Sequence, residues 1–174
     1  MTDPTAFRST AAEDELLRYL RMVAEAVGRP ASRTWRHPSH YHLLLAYGRF
    51  HEPADLAPGI PRLEPAKCYP NAGRTAREQQ GLMYAEGITM IAAGKGFVPV
   101  DHGWCTASGG RVADPTLDDG VGVAYFGITL TNYGMWPSPT GWHVLPNAYD
   151  LMQTGPAPGM FAEIGRLAPY SKEN

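Results

Sequence analysis

The sequence predicts an α+β fold in which N-terminal helices come first and a cysteine at a helix N-terminus packs on an antiparallel β meander. Apolar residues recur at helical spacing from Ala11 to Val27. Short segments rich in Val, Ile, Tyr, Phe, Trp and Thr, separated by glycine-containing turns, follow between Leu82 and Thr131. No internal repeat and no linker divides the chain, so residues 1–174 are predicted to form a single domain.

The composition favours a globular protein in a reducing compartment. Hydrophobic residues make up 44% of the 174 residues and charged residues 18%, unlike a disordered chain. The net charge of −2 provides no electrostatic basis for binding nucleic acid or an anionic membrane. There is no signal-peptide pattern and no membrane-length apolar stretch, and two cysteines are too few for a disulfide scaffold. We therefore expect a cytoplasmic protein without membrane or nucleic-acid partners and without a cofactor.

The first helix is predicted by both its start signal and its apolar stripe. Ser9 or Thr10 is expected to cap it, because Glu13 follows near the capping-box position. The apolar stripe consists of Leu16, Leu17, Leu20, Val23 and Val27. Gly28-Arg29-Pro30 is expected to end the helix. This pattern indicates packing and carries no chemistry.

A short second helix is predicted through residues 41–47, with Ser39 as its cap. Four histidines lie in or beside it: His37, His40, His42 and His51. His40 and His42 are two residues apart, a spacing that separates them on a helix. We therefore expect surface or hydrogen-bonded histidines rather than a metal site.

The central stretch begins at Cys68, just before a helix-compatible run over residues 71–81 with Gly81 as the expected C-cap. The predicted strands follow at 82–90, 96–100, 103–107, 110–113 and 121–131. Ser108-Gly109-Gly110 is a hairpin signal that would bring His102 and Asp114 onto neighbouring strands. Two short helices are expected at the end, over 145–152 and 160–167.

Three of these residues supply the groups that nucleophilic catalysis requires. Cys68 offers a thiol, whose reactive thiolate form is favoured by a helix N-terminus and by a nearby imidazolium. His102 would be the base, and Asp114 would accept a hydrogen bond from it and orient it. Asp101 competes for the orienting role, but strand alternation directs it to the opposite face from His102, which favours Asp114.

Three further residues are candidates for oxyanion stabilisation or substrate binding. Trp104 shares a strand face with His102 and would limit water beside the imidazole. The amide of Asn71 would either point to the site or cap the helix, and the backbone N–H groups at the helix start are a second source of oxyanion donors. Glu86 would either face the thiol, tuning its charge or binding a substrate amine, or be a solvated edge residue.

The two cysteines also allow interpretations other than catalysis. Cys68 alone would be typical of an inert buried thiol, and only its ordered His and Asp partners favour catalysis. Cys105 alternates away from His102 and is expected to be structural. A disulfide between the two is disfavoured by the inferred compartment. Alternation also resists a zinc site built from both cysteines and His102, and the deaminase pattern is absent.

Several motifs resemble the transglutaminase-like branch of the papain-like cysteine enzymes, over roughly residues 65–130. That branch has a cysteine at a helix start, a His-Ala-Trp-like strand and an Asp-Pro-Thr-like strand end. The chain is also similar to a group of small bacterial and bacteriophage proteins. The motifs shared with that group are Cys68–Ala72, Tyr84–Gly87, His102–Trp104, Asp114–Thr116 and Tyr125–Gly127.

The resemblance implies acyl transfer through a thioester: transamidation, deamidation, or hydrolysis of an amide or peptide. The substrate would be a protein, a peptide or a small amide or amine. Two features depart from the family pattern: Gly103 replaces a frequent alanine, a small change, and no tryptophan precedes Cys68. Position 62 is arginine, where papain-type enzymes have a glutamine oxyanion donor. Protease activity is therefore not implied.

A function of another class is kept beside the enzymatic one. The same fold would also serve as a binding or assembly module without catalysis. The aromatic residues expected to line a groove for a partner or a substrate are Tyr125, Phe126, Tyr133, Trp136 and Trp142.

Overall fold

A computed structural model describes residues 10–27 and 34–168. The α-helices of this part are α1 (Ala11–Val27), α2 (His40–Tyr47), α3 (Cys68–Glu78) and α4 (Tyr149–Thr154). The strands are β1 (Arg49–His51), β2 (Leu82–Ala93), β3 (Gly96–Ala107), β4 (Val112–Ala113), β5 (Gly122–Thr129) and β6 (Arg166–Leu167). Single 3₁₀ turns cover Tyr133–Met135 and Leu145–Asn147. The predicted α+β class with an antiparallel sheet is confirmed.

The strand order is β4-β3-β2-β5-β1-β6, and every neighbouring pair is antiparallel. The expected meander therefore holds only for β2, β3 and β4, because β5 pairs with β2 on its other side. The separate strands expected at 96–100 and 103–107 form one strand. Each residue from Gly96 to Ala107 has a partner in β2, so Gly103 makes no turn.

The sheet curls until its two sides meet. Glu52, just after β1, forms a parallel bridge with Arg111, just before β4. The Glu52 amide donates to the Gly110 carbonyl and the Val112 amide donates to the Glu52 carbonyl, both at 2.8 Å. These bonds give the sheet a convex outer face and an enclosed inner face.

The two faces carry separate apolar clusters because side chains alternate along each strand. On the outer face, Tyr84, Ile88, Cys105 and Phe126 join the large core formed with the helices. The inner-face cluster consists of Ala85, Trp104, Val112 and Tyr125. Of two neighbouring residues on one strand, one side chain consequently faces the helical core and the other faces the inside of the curled sheet.

Helix α1 begins with the predicted capping box. The Glu13 amide donates to Thr10 Oγ1 at 3.2 Å, and the Thr10 amide donates to Glu13 Oε2 at 3.0 Å. Ser9, the alternative N-cap, and residues 28–30, which were expected to end the helix, lie outside the described residues. Leu16 and Leu20 of the predicted apolar stripe are fully buried, so the periodicity marked the packed face.

Other helix boundaries differ from the sequence predictions. Helix α3 contains Cys68 as its first residue and ends with Gln79 as C-cap, while Gly81 lies in the following turn at φ +84°. The helix expected over 160–167 is wrong: Gly165 at φ +92° interrupts the segment, and its end pairs with β1 as β6. The helix expected over 145–152 is instead a 3₁₀ turn followed by α4.

In the described part of the chain, no helix combines the length and the apolar character that crossing a membrane requires.

Candidate active site

Cys68, His102 and Asp114 meet where the start of α3 reaches the β3–β4 hairpin. The Nε2 atom of His102 lies 2.7 Å from Oδ2 of Asp114, and both side chains are buried. The half-buried Cys68 side chain lies close enough to the same imidazole to raise the pKa of His102. Because Nε2 is committed to Asp114, Nδ1 is the ring nitrogen that remains for the thiol. The structure therefore brings the three predicted groups together in the expected order.

The hairpin explains how His102 and Asp114 meet. Antiparallel pairing of Cys105 with Ala113 and of Thr106 with Val112 sets the register of β3 and β4. Thr106 and Val112 face inward, and alternation continues this face to Trp104 and His102 along β3 and to Asp114 just past β4. The predicted proximity of His102 and Asp114 is confirmed, and it follows from a local turn.

Asp114 is held by a ring of donors. Its Oδ1 accepts from the amides of Thr116 at 2.8 Å and Leu117 at 3.1 Å. Its Oδ2 accepts from the hydroxyl of Tyr125 at 3.0 Å in addition to His102. Burial opposes ionisation, but the bonds and charge of His102 and these donors together lower the pKa of Asp114. The carboxylate is thus fixed in place and ionised at neutral pH.

The charge state of His102 follows from its two partners. Burial alone would lower the pKa of His102, but the hydrogen bonds and charges of Asp114 and Cys68 raise it to about 9. The ring is therefore an imidazolium at neutral pH, and Nε2–H donates to Asp114. An imidazolium beside a thiol favours the thiolate by charge attraction.

Asp101, the competing carboxylate, lies on the outer face of β3, at an exposed position. The negative charge of Asp101 acts to raise the pKa of His143 and of Tyr69. Among the described contacts, Asp101 makes no hydrogen bond with His102. The alternation argument that favoured Asp114 over Asp101 is confirmed for the geometry of the pair.

Asn71 plays neither of the two expected roles. Its Nδ2 donates to the carbonyl of Glu64 at 2.8 Å and to Oγ1 of Thr116 at 3.1 Å. Both amide hydrogens are therefore used, so none remains for an oxyanion. The N-cap of α3 is Lys67, without a side-chain cap bond. Asn71 instead ties the start of α3 to the loop that follows Asp114.

Arg62 reinforces this loop from the side. Its guanidinium donates to the carbonyl of Asp114 at 3.2 Å and to that of Leu117, and it pairs with the carboxylate of Asp119. Arg62 thus holds the Asp114 backbone in place. The sequence signal for this was an arginine followed, about 55 residues later, by two adjacent aspartates, which is too weak to interpret alone.

The Trp104 ring stacks beside the His102 imidazole on the inner face of the sheet. Its ring is parallel to that of His102 within 16°, with centroids 6.3 Å apart, and it is fully buried. Its Nε1–H donates to Nδ1 of His51 at 2.9 Å. Trp104 thus shares the inner face with His102, as alternation predicts, while its only donor is engaged by a histidine that the sequence did not connect with the site. Burial lowers the pKa of His51 to about 4, which keeps this acceptor neutral.

Glu86 is buried, which contradicts the interpretation as a solvated edge residue. It points outward from β2 and accepts from the Tyr84 hydroxyl at 2.6 Å and from the amides of Val144 and Leu145 at 2.8 and 3.0 Å. Burial raises the pKa of Glu86 to about 7 despite these three bonds. Val144 and Leu145 lie 58 and 59 residues downstream of Glu86, so local patterns could not reveal these two partners.

The second cysteine is structural, as expected. Cys105 is fully buried on the outer face, and its thiol donates to the carbonyl of Ala72 in α3 at 3.2 Å. Both cysteines are free thiols. Within residues 10–27 and 34–168, no group of three or more His, Cys, Asp or Glu residues is placed to hold a metal ion.

The expected aromatic groove divides into buried and exposed members. Tyr125, Phe126 and Trp136 are buried in the two apolar clusters, although Tyr125 also lines a small cavity beside Asp114. Tyr133 and Trp142 are exposed. The five aromatic residues therefore do not line one common groove.

Gly103 lies where the sheet touches Tyr69, the residue after Cys68. A Cβ at this position would be 3.0 Å from Cδ1 and 3.2 Å from Cα of Tyr69. The exchange of alanine for glycine that looked small in the sequence therefore sets how closely the start of α3 approaches β3.

Gly103→Ala is expected to displace the start of α3 and to destabilise the protein by about 1–3 kcal/mol, the usual cost of overpacking. Urea unfolding and the alkylation rate of Cys68 would measure both effects. Gly109→Ala is the matched control, because nothing lies within 4 Å of a Cβ in that turn. Equal stabilities of the two variants would show that Tyr69 moves away from the added Cβ without a measurable loss of stability.

A comparison of this chain with protein-family models, curated proteins and solved structures found no match.

Proposed function

We propose that this protein is a cysteine-dependent acyl-transfer enzyme on a transglutaminase-like fold, with Cys68 as nucleophile, His102 as acid and base, and Asp114 as orienting group. The observation that carries the proposal is the buried His102–Asp114 hydrogen bond together with the half-buried Cys68 thiol close to the same imidazole. Its substrates are amides of proteins, peptides or small molecules. The same arrangement serves transamidation, deamidation and hydrolysis.

In the first half of the reaction, the Cys68 thiolate attacks the carbonyl carbon of the amide, and the carbonyl π electrons move to oxygen. When the tetrahedral intermediate collapses, the carbon–nitrogen bond breaks, and the imidazolium of His102 protonates the leaving amine. A thioester on Cys68 remains. Neutral His102 then takes a proton from the incoming water or amine, whose attack releases the acyl product and restores the thiolate.

The oxyanion is stabilised by the start of α3. The N–H groups of Cys68 and Tyr69 lie in the first turn, where no preceding turn accepts from them. The N-cap Lys67 contributes no side-chain acceptor, so these amides are left to an anion. The side-chain donors of Asn71 and Trp104 are engaged elsewhere.

The first test is alkylation by iodoacetamide at neutral pH, followed by peptide mass analysis. Wild-type protein should label rapidly and at Cys68, while the buried Cys105 stays unmodified. His102→Ala should slow the labelling at least tenfold, because the imidazolium that favours the thiolate is lost. His42→Ala is the control, since the His42 ring lies in α2 and bonds Ser39, the N-cap of that helix.

A second measurement separates acyl transfer from simple thiol reactivity. p-Nitrophenyl acetate should give a stoichiometric burst of nitrophenol and an acetyl group on Cys68, and Cys68→Ala should abolish both. Labelling at the rate of a free thiol, unchanged by His102→Ala and without a burst, would overturn the enzymatic proposal and favour the binding or assembly module.

A further inference from the structure

Three aromatic rings form a surface beside the nucleophile, which we call the aromatic wall: Tyr69, Trp142 and His143. The Tyr69 ring lies 6.1 Å from Trp142 and 5.6 Å from His143, and the latter two are 6.0 Å apart, measured between centroids. Tyr69 directly follows Cys68 in α3. The wall therefore begins one residue from the thiol.

The wall is anchored to the sheet by Glu86. The carboxylate accepts from the consecutive amides of Val144 and Leu145, directly after His143, using a different oxygen for each. The Tyr84 hydroxyl holds the same carboxylate from β2. With only 3% of Glu86 exposed, these bonds are shielded from water and hold the segment beside α3. This anchoring is a structural role for a buried carboxylate that makes no contact with the triad among the described hydrogen bonds.

The exposed part of the wall is apolar and carries no positive charge. Trp142 is 65% exposed, although a large apolar ring gains by burial. Burial lowers the pKa of His143, with an opposing effect of Asp101, so this ring is neutral at neutral pH. Burial likewise raises the pKa of Tyr69 and keeps its hydroxyl neutral. The nearby carboxylate of Asp101 disfavours acidic ligands.

We propose that the aromatic wall binds a large, planar, apolar group on the acyl side of the substrate, next to the carbonyl that Cys68 attacks. The inference rests on the function proposed above. The acyl group stays attached to Cys68 in the thioester, so its side chain is the part of the substrate that lies against residues adjoining the thiol. Stacking on Trp142 would bury both surfaces and orient the carbonyl for attack.

The test uses two peptidyl chloromethyl ketones that alkylate the thiol after binding reversibly, acetyl-Phe and acetyl-Ala. Saturation kinetics yield the binding constant KI and the limiting rate kinact for each. In the wild type, KI for the Phe probe should be about tenfold lower than for the Ala probe. Trp142→Ala should remove this preference by raising KI for the Phe probe and not for the Ala probe. Trp142→Phe should retain most of it.

Tyr133→Ala is the matched control. Tyr133 has a similar exposure of 57%, but its ring lies against Arg77, nine residues along α3 from Cys68. Its replacement should change neither constant. If Trp142→Ala leaves the Phe preference intact, or if Tyr133→Ala abolishes it equally, the inference is overturned.

Iodoacetamide, which has no recognition group, keeps the two proposals distinguishable. Rapid labelling that slows in His102→Ala, together with an unchanged Phe preference in Trp142→Ala, would overturn only the inference that the aromatic wall binds the acyl side of the substrate. Slow labelling of the wild type, indifferent to His102→Ala, would overturn the proposed function and this inference with it.

Discussion

Asp114→Ala is expected to destabilise the protein by about 3–5 kcal/mol, the range for removing one partner of a buried ion pair. The variant leaves the buried imidazolium of His102 unpaired and deprives the Tyr125 hydroxyl of its acceptor. The amides of Thr116 and Leu117 lose their acceptor as well. Urea unfolding at neutral pH measures the loss.

Asp118→Ala is the control from the same loop. The Asp118 side chain is 85% exposed and reaches Arg62 only at 3.8 Å, so its removal should cost less than about 1 kcal/mol. Similar losses in the two variants would contradict the assignment of Asp114 as the partner of His102.

Asp114→Asn separates stability from chemistry, because it preserves volume while an amide N–H faces Nε2. The proton then resides on Nδ1, the nitrogen left for Cys68, and His102 cannot accept one there. The burst with p-nitrophenyl acetate should slow on the order of 10²–10⁴-fold, as for other enzymes whose orienting carboxylate becomes an amide. A full burst rate in this variant would remove Asp114 from the mechanism.

The second large effect is a loss of stability as the pH rises. The pKa of His102 increases from 6.5 in the unfolded chain to about 9 in the folded protein. Its contribution is therefore fully present below pH 6.5 and is lost as the pH rises through 9. One pKa unit corresponds to about 1.4 kcal/mol, so the decrease is on the order of 3 kcal/mol. Urea midpoints at about pH 6 and about pH 9.5 would show it.

Glu86 acts in the same direction at lower pH. Burial raises its pKa from 4.5 to about 7, so the folded state binds more protons than the unfolded state between these values and stability falls as the pH rises through them. Glu86→Gln should flatten the acidic part of the profile, and His102→Gln the alkaline part. Stability that is constant above neutral pH in the wild type would contradict a proton on His102.

The pairing of His102 with Asp114 could be predicted because its causes are local. The two residues are 12 apart, a Gly-Gly turn lies between them, and alternation along a strand decides which side chains share a face. The capping box of α1 is a similarly short pattern. Helix α3 was expected to start after Cys68 and in fact starts at it, a difference of one turn that leaves the thiol at the N-terminus.

The position of β5 beside β2 could not be predicted from the chain order. Its strand pattern was visible, but pairing partners are decided by which apolar faces meet, and the Phe126 side had to join the helical core. The helix expected over 160–167 failed for a related reason. The edge of β1 offers backbone partners to that segment, and hydrogen bonding to a strand replaced a weak helical preference.

The sequence by itself determined which thiol, imidazole and carboxylate come together, since residue type, a turn signal and strand alternation suffice to join them. Only the tertiary structure decided the roles of the polar residues around them. Asn71 ties two loops, Glu86 anchors the aromatic wall, and the indole of Trp104 binds His51. Their partners come from separate parts of the fold, and a buried polar group takes whichever donor or acceptor the packed fold brings to it.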